Sequence, residues 1–262
     1  MLRRRLIPSL LVDSSGHLVK TQCFNNRVYL GDPLNAAYIF SEYLADELLV
    51  LDIDASKENR SIPIEFVTAL GKFTNIPLAV GGGISKLSHV EAILAAGVER
   101  VVLGSTLSSD SSFLSDVSRS FGASSVSVIV SYVSRDYNSG KHPPLGPFLT
   151  AVGPNALEDI ILSCEDDGCG EVIIYDIERD GTSIGFDVEL VSRLSSRLSV
   201  PLVVAGGCGG DDHIIDLFNN SSISGIAVGS NFVFSPNSKQ VLLGYPEETS
   251  YLRSRINEPR FF

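Results

Sequence analysis

Eight short runs of valine, isoleucine and leucine recur along the chain, each followed by a longer amphipathic stretch, and this alternation restricts the fold more than any other feature. The runs are LIPSLLV (6–12), LLVLDI (48–53), IPLAV (76–80), RVVLG (100–104), VSVIVSY (126–132), VIIYDI (172–177), VPLVVA (200–205) and GIAVG (225–229). Both faces of each run are apolar, as in parallel strands covered by helices. Helices are predicted between them, for example over 34–44, 61–72, 86–96, 156–167 and 187–198. Eight such units predict an α/β fold closed as a (β/α)8 TIM barrel, and 262 residues, 44% of them hydrophobic, suffice for its single core. An open doubly wound sheet is the competing layout, but its GxGxxG fingerprint is absent from the sequence.

The chain also repeats itself. IPLAVGGGI (76–84) is echoed by VPLVVAGGCG (200–209), LDIDAS (51–56) by YDIERD (175–180), and VVLGST (101–106) by IAVGSN (226–231). Asp52 and Asp176 are 124 residues apart, as are Gly82 and Gly206. Three echoes in one order at nearly the same offset predict a two-fold half-barrel repeat, about 1–122 and 123–240, within a single domain spanning 1–262. Two like sites then face each other across the mouth. YNSGKHPPLGPFLT (137–150) reads as a long loop, and the charged tail within 241–262 as a surface helix that frays.

Charge and cysteine usage exclude several classes of function. With 31 acidic against 20 basic residues the formal net charge is −11, which repels polyanions and leaves no broad surface for nucleic acid or anionic lipid. Cys23, Cys164, Cys169 and Cys208 form no CxxC pair, and the four histidines are isolated. They read as scattered buried thiols of a cytoplasmic protein that uses neither metal nor cofactor. MLRRRLIPSLLVD copies the start of a signal peptide, but its apolar run is short, holds Pro8 and meets Asp13 where a cleavage site would need a small residue. No apolar segment reaches the length of a membrane span.

Glycine-rich turns follow the third, fourth, seventh and eighth runs. They hold Gly82 and Gly83, Gly104 and Ser105, Gly206 and Gly207, and Gly229 and Ser230. Glycine lets backbone approach a ligand, and amides opening the next helix offer donors to an anion. The plain alternative is that these glycines only permit tight turns. Their two-fold recurrence favours two phosphate sites, and hence an elongated small molecule phosphorylated at both ends.

LIPSLLV with LVK (18–20), GDP (31–33), DELLVLDIDAS (46–56), PLAVGGGI (77–84) and ERDGTSIG (178–185) together resemble the cyclase subunit of imidazole glycerol phosphate synthase, over roughly residues 1–234. The resemblance implies a barrel that takes ammonia from a glutaminase docked at its bottom and uses it at the top to split and cyclise a bisphosphate nucleotide. It also implies catalytic aspartates ending the first and fifth strands, where this chain has Leu11 and Ser131. Leucine moves no proton, and serine does so poorly without an adjacent base. Asp13 and Asp136 are the nearby carboxylates to which that chemistry could have moved, with Asp52 and Asp180 as further residual candidates. Lys20, on what reads as the first loop, Asp52, Asp180 and Gly181 stand where the family handles its ligand. Gly104 replaces an asparagine near one phosphate. Capping of the next helix is the plain alternative for Asp52 and Asp180, and a solvated loop charge for Lys20.

SLLV (9–12), GHLVKT (16–21), GDPLNAAYIF (31–40) and FVFSPNSKQVLLGYP (232–246) resemble more closely a branch carried as a second copy by bacteria that build surface polysaccharides. That branch sits beside a second glutaminase and a sugar amidotransferase, and the resemblance implies ammonia delivery for an acetamidino or related sugar. Ser131 departs from the aspartate expected there.

Arg5, Glu47, Arg100 and Glu171 open the first, second, fourth and sixth strands, and their charges sum to zero. Such a set can pair internally at the barrel floor, where a lone buried charge would cost several kcal/mol. The resemblance implies that these four form a gate for ammonia, with Arg100 standing where the family usually has lysine, and that Glu99 contacts the glutaminase. Exposed strand entrances that tolerate any charge are the alternative. Glu171 and Asp176 are five apart, so an ideal strand aims them at opposite faces unless a bend intervenes or one lies beyond the regular strand. Three functions compete: ammonia conduction for sugar amidation, an authentic cyclase of histidine biosynthesis, and a non-catalytic scaffold that activates a glutaminase.

Overall fold

A computed structural model describes residues 4–23, 25–110, 112–133, 152–234, 240–247 and 250–257. The strands are β1 (Arg5–Val12), β2 (Leu18–Gln22), β3 (Asn25–Gly31), β4 (Leu48–Asp52), β5 (Leu78–Gly81), β6 (Arg100–Leu103), β7 (Val126–Tyr132), β8 (Glu171–Asp176), β9 (Leu202–Ala205) and β10 (Gly225–Val228). The helices are α1 (Pro33–Glu42), α2 (Ile64–Phe73), α3 (Leu87–Ala95), α4 (Thr106–Ser109), α5 (Phe113–Phe121), α6 (Pro154–Asp166), α7 (Val188–Ser195), α8 (Asp211–Asn220), α9 (Ser230–Val233) and α10 (Tyr251–Asn257).

Strands β1 and β4 to β10 are parallel neighbours in chain order, and pairing of β10 with β1 closes them into an eight-stranded barrel. Each contains one of the eight apolar runs, in whole or in part. Their double-sided hydrophobicity has a direct cause, because successive side chains alternate between two cores. Leu6, Leu10, Val12, Val50, Val101 and Ile174 pack outward beneath the helices. Ile7, Leu49, Ala79, Val102, Ile173, Val203 and Ala227 fill the interior. The GDP motif starts α1: the Asp32 side chain accepts the Leu34 amide, and Pro33 occupies the first helical turn, where its missing N–H leaves no bond unmade.

Two expectations need correction. Residues 18–20 are not loop: β2 pairs antiparallel with β1 and with β3, adding a hairpin above the barrel end. Its alternation is short and mixed in polarity, so it carries little periodic signal. Within the tail, α10 is docked and not a loose surface helix. Leu252, Arg253 and Ile256 are each buried there, and the helix packs on α8. The segment 137–150 and Asp136 lie outside the described residues. No helix among the described residues is long and apolar enough to cross a membrane.

Candidate functional site

At the strand entrances the four charges form a closed ring. The Arg5 guanidinium donates to Glu47 Oε2 at 2.5 Å and also to Glu171. Arg100 donates to the same Glu47 oxygen at 2.7 Å, and its Nε stands 3.7 Å from Glu171 Oε1. Each cation therefore faces both carboxylates. Ser127 donates to Glu171 Oε1 at 3.2 Å, and the Ser224 hydroxyl accepts from Arg5 at the same distance. The two carboxylate side chains are 3–4% exposed and the two arginine side chains 17–19%, so the acids are sealed more completely than the bases. Burial works against the Arg100 charge, but the hydrogen bond and charge of Glu47, with Glu171, outweigh it and hold this guanidinium above its ordinary value.

Above the ring lies the aliphatic interior, with Leu51, Ile129 and Tyr175 uppermost. At the strand exits these three, with Val102, floor a cavity of about 170 Å³. Gly82, Gly83, Gly104, Ser105 and Ser131 line it, as do Arg27, Ser56, Lys57 and Ser108, which the sequence reading did not single out. Arg27 reaches the mouth only because the hairpin carries it there, clasping Asp54 with both guanidinium nitrogens at 2.5 Å. Backbone from three glycines and several hydroxyls offer donors to this cavity, while its two cations, Arg27 and Lys57, both face Asp54 and Asp52 lies beside them.

Asp52 and Asp176 do the same local work in the two halves. Asp52 Oδ1 accepts the amides of Asp54 and Ala55 while its Oδ2 takes Arg60 at 2.5 Å. Asp176 Oδ1 accepts those of Glu178 and Arg179, with Arg179 Nε 3.2 Å from its Oδ2. For Asp52 this is turn capping, although it also borders the cavity. Asp176 faces the opposite side of β8 from Ile173 and Tyr175, so β8 needs no bend; Glu171 points into the ring and Asp176 outward. Burial pushes the Asp176 carboxyl up to about 6 against the pull of Arg179.

Asp13 is not among the residues lining this cavity. Its Oδ1 accepts the amides of Ser15 and His17, closing the turn between β1 and β2. Leu11, on the inward set with Ile7 and Ser9, is 1% exposed and pairs with Val19 of β2, whereas Ser131 borders the cavity. Asp180 caps no helix: it accepts the hydroxyls of Thr21 at 2.7 Å and Tyr175 at 2.8 Å, tying the hairpin to the top of the interior. Tyr175 is a further residue at the site that the sequence reading did not name.

Lys20 is not a solvated charge. It is 5% exposed, donates to the Ser9 carbonyl at 2.7 Å, and lies so close to Gly229 that a Cβ there would stand 2.6 Å from Nζ. Burial lowers its pKa to about 8, partly offset by Asp180. In the unfolded chain the lysine keeps a proton up to its ordinary value of about 10.4. The fold therefore carries a charge-burial cost below pH 8 that disappears as pH rises toward that value. Lys20→Met is expected to stabilise the protein by about 1–2 kcal/mol at pH 7, the lost hydrogen bond offsetting part of the relief. Chemical denaturation from pH 7 to 10 checks this, since the advantage should shrink with rising pH.

The glycines of the second expected anion site are close-packed, as are Gly82 and Gly83 against Asp52 and the Arg60 carbonyl. Gly206 and Gly207 pack against the carbonyls of Asp176 and Gly185, Gly181 against that of Thr21, and Gly229 against Lys20. None of these, nor half-buried Ser230, lines the cavity described above. Glu99 is exposed beside Arg100 at the barrel bottom. Cys164, Cys169 and Cys208 are buried free thiols, and Cys23 is half-buried.

A parallel eight-stranded barrel with a self-neutralised ionic floor, an apolar interior and a glycine-lined cavity at the strand exits defines a (β/α)8 protein. The comparisons make the assignment narrower. Residues 5–236 match the family described as "Histidine biosynthesis protein". A Leptospira borgpetersenii protein named "Putative imidazole glycerol phosphate synthase subunit HisF" is 38% identical over 253 residues, 95% of this chain and 97% of its own length. The Pseudomonas aeruginosa protein bearing the same name with the suffix hisF2 is 38% identical over 94% of this chain and 97% of its own. The "Imidazole glycerol phosphate synthase subunit HisF" of Lactococcus lactis is 32% identical over 88% and 89%. The chain belongs to the HisF family, that of the cyclase subunit of imidazole glycerol phosphate synthase.

Proposed function

We propose that this chain is the synthase-type partner of a glutaminase, admitting ammonia through the Arg5–Glu47–Arg100–Glu171 ring and delivering it to a phosphorylated acceptor held at the mouth. The observation that carries this reading is the closed, alternating ring over an aliphatic interior. Neutral ammonia crosses such an interior far more cheaply than ammonium, which would shed its hydration. The interior side chains are packed together, so passage requires them to move aside briefly. Gly82, Gly83, Gly104, Ser105, Arg27 and Lys57 would hold one phosphate. The glutaminase would dock on the face that carries the ring and Glu99.

Two acceptors follow from two different observations. The relatives named above carry the synthase subunit's name, which favours the cyclisation of histidine biosynthesis. Leu11 and Ser131 favour the other reading, in which cyclase chemistry has lapsed and the nitrogen goes to a surface-polysaccharide sugar through a sugar amidotransferase. Loss of a general acid or base lowers turnover by roughly 10²–10⁴-fold. We expect cyclase turnover with added ammonium salts to lie at least 10²-fold below that of a relative carrying both aspartates. Turnover equal to that relative's would assign the chain to histidine biosynthesis. Ser131→Asp, at a position that borders the cavity, should fold normally, whereas Leu11→Asp puts a carboxylate at a position 1% exposed and should cost several kcal/mol.

A further inference from the structure

Two of the four ring residues sit next to a second polar cluster that joins the C-terminal helix to the barrel. Ladder pairing between β1 and β4 begins at Ser9 and Leu49. Three residues back along both strands, Leu6 stands opposite Asp46 before β4 has started. The Leu6 peptide groups on that side therefore lack a strand partner, and side chains replace it. Leu6 N–H donates to Asp46 Oδ2 at 2.8 Å, and the Tyr245 hydroxyl donates to the Leu6 carbonyl at 2.9 Å. The same hydroxyl accepts the Asp46 amide at 2.9 Å.

Arg253 on α10 completes the cluster. Its Nη1 donates to Asp46 Oδ2 at 2.7 Å, its Nη2 to the Tyr245 hydroxyl at 2.5 Å, and its guanidinium carbon lies 5.1 Å from the Tyr245 ring centre. Arg253 is 1% exposed. An arginine ion pair this deeply buried needs its geometry to be held. Leu6 directly follows Arg5, and Asp46 directly precedes Glu47, so the cluster clamps together the two strand entrances that deliver one cation and one anion to the ring.

We propose that Arg253 and Tyr245 are positioning residues for the ionic ring, and that docking of α10 holds the Arg5 and Glu47 side of that ring closed. The ring's role as an ammonia gate rests on the reading above, but the clamp can be tested apart from it. Tyr245→Phe deletes one hydroxyl with little change of shape, and Arg253→Met deletes the charge while filling the space. Amide exchange at Leu6 is expected to quicken about tenfold in Tyr245→Phe, the equivalent of one hydrogen bond, and more in Arg253→Met. Exchange in β7 and β8 should not change. Arg253→Lys, which keeps the charge on Asp46 but loses the fork to Tyr245, should fall between wild type and Arg253→Met.

In complex with the glutaminase and fed glutamine, the same variants should release severalfold more free ammonia per glutamine consumed. Turnover supplied with ammonium salts should stay at the wild-type level. Unchanged exchange at Leu6 in both variants, or exchange quickened equally throughout the barrel, would overturn the clamp. Quickened local exchange without ammonia release would uphold the clamp and count against the gate.

Discussion

Glu171→Leu is expected to lower stability by about 3–5 kcal/mol, the cost of leaving buried charge uncompensated. Arg5 and Arg100 would then share Glu47 alone, and their side chains are less than one-fifth exposed. Both hydrogen-bond that one Glu47 oxygen, so it cannot also cover the side that Glu171 vacates. Ser127 would lose its acceptor as well. Denaturant midpoints of the single variant and of Arg5→Met with Glu171→Leu check the argument. The double variant leaves one cation and one anion and should cost less than the sum of its parts, by 0.5–3 kcal/mol for residues in contact. A single-variant cost below about 1 kcal/mol would mean that the ring behaves as a solvent-screened surface pair, and a gate built on it would fail.

Gly83→Ala should be nearly as damaging, for a steric reason. Gly83 has φ +59, and a Cβ there would lie 1.8 Å from the Arg60 carbonyl oxygen. That oxygen is backbone, so the β5 turn or the segment ending in Arg60 must shift. Gly97 is the matched control: its φ is +93, but no atom lies within 4 Å of its added Cβ. Gly97→Ala is expected to cost about 1 kcal/mol from the left-handed backbone alone, and Gly83→Ala about 3–4 kcal/mol, with loss of inorganic phosphate binding. Denaturation and phosphate titration calorimetry read the two effects. Equal costs for the two glycines would show that the turn at Gly83 has room to give.

The barrel was legible in the chain because a parallel strand covered on both faces needs an apolar residue at nearly every position, and eight such runs leave few other closures. The ring was legible because charge at the entrance of an otherwise apolar run has few structural uses. Arg27 and Tyr175 were not legible as site residues. One reaches the mouth on a hairpin without a strong period, and the other reads as one more bulky residue of a core strand.

Lys20, Asp13 and Arg253 mark where sequence and structure part. Lys20 reads from sequence as a loop charge, Asp13 as a carboxylate near the first strand exit, and Arg253 as one of several charges in the tail. Only the fold seals one over Gly229, turns one back onto its own loop and buries one against Asp46 and Tyr245. What the sequence determined by itself was the architecture and the placing of four balanced charges at the strand entrances, because both can be read along single strands. Which charges are buried, which carboxylates meet the cavity and what holds the ring together were decided by contacts between residues as far as 239 positions apart, since burial and pairing belong to the space between elements and not to any one of them.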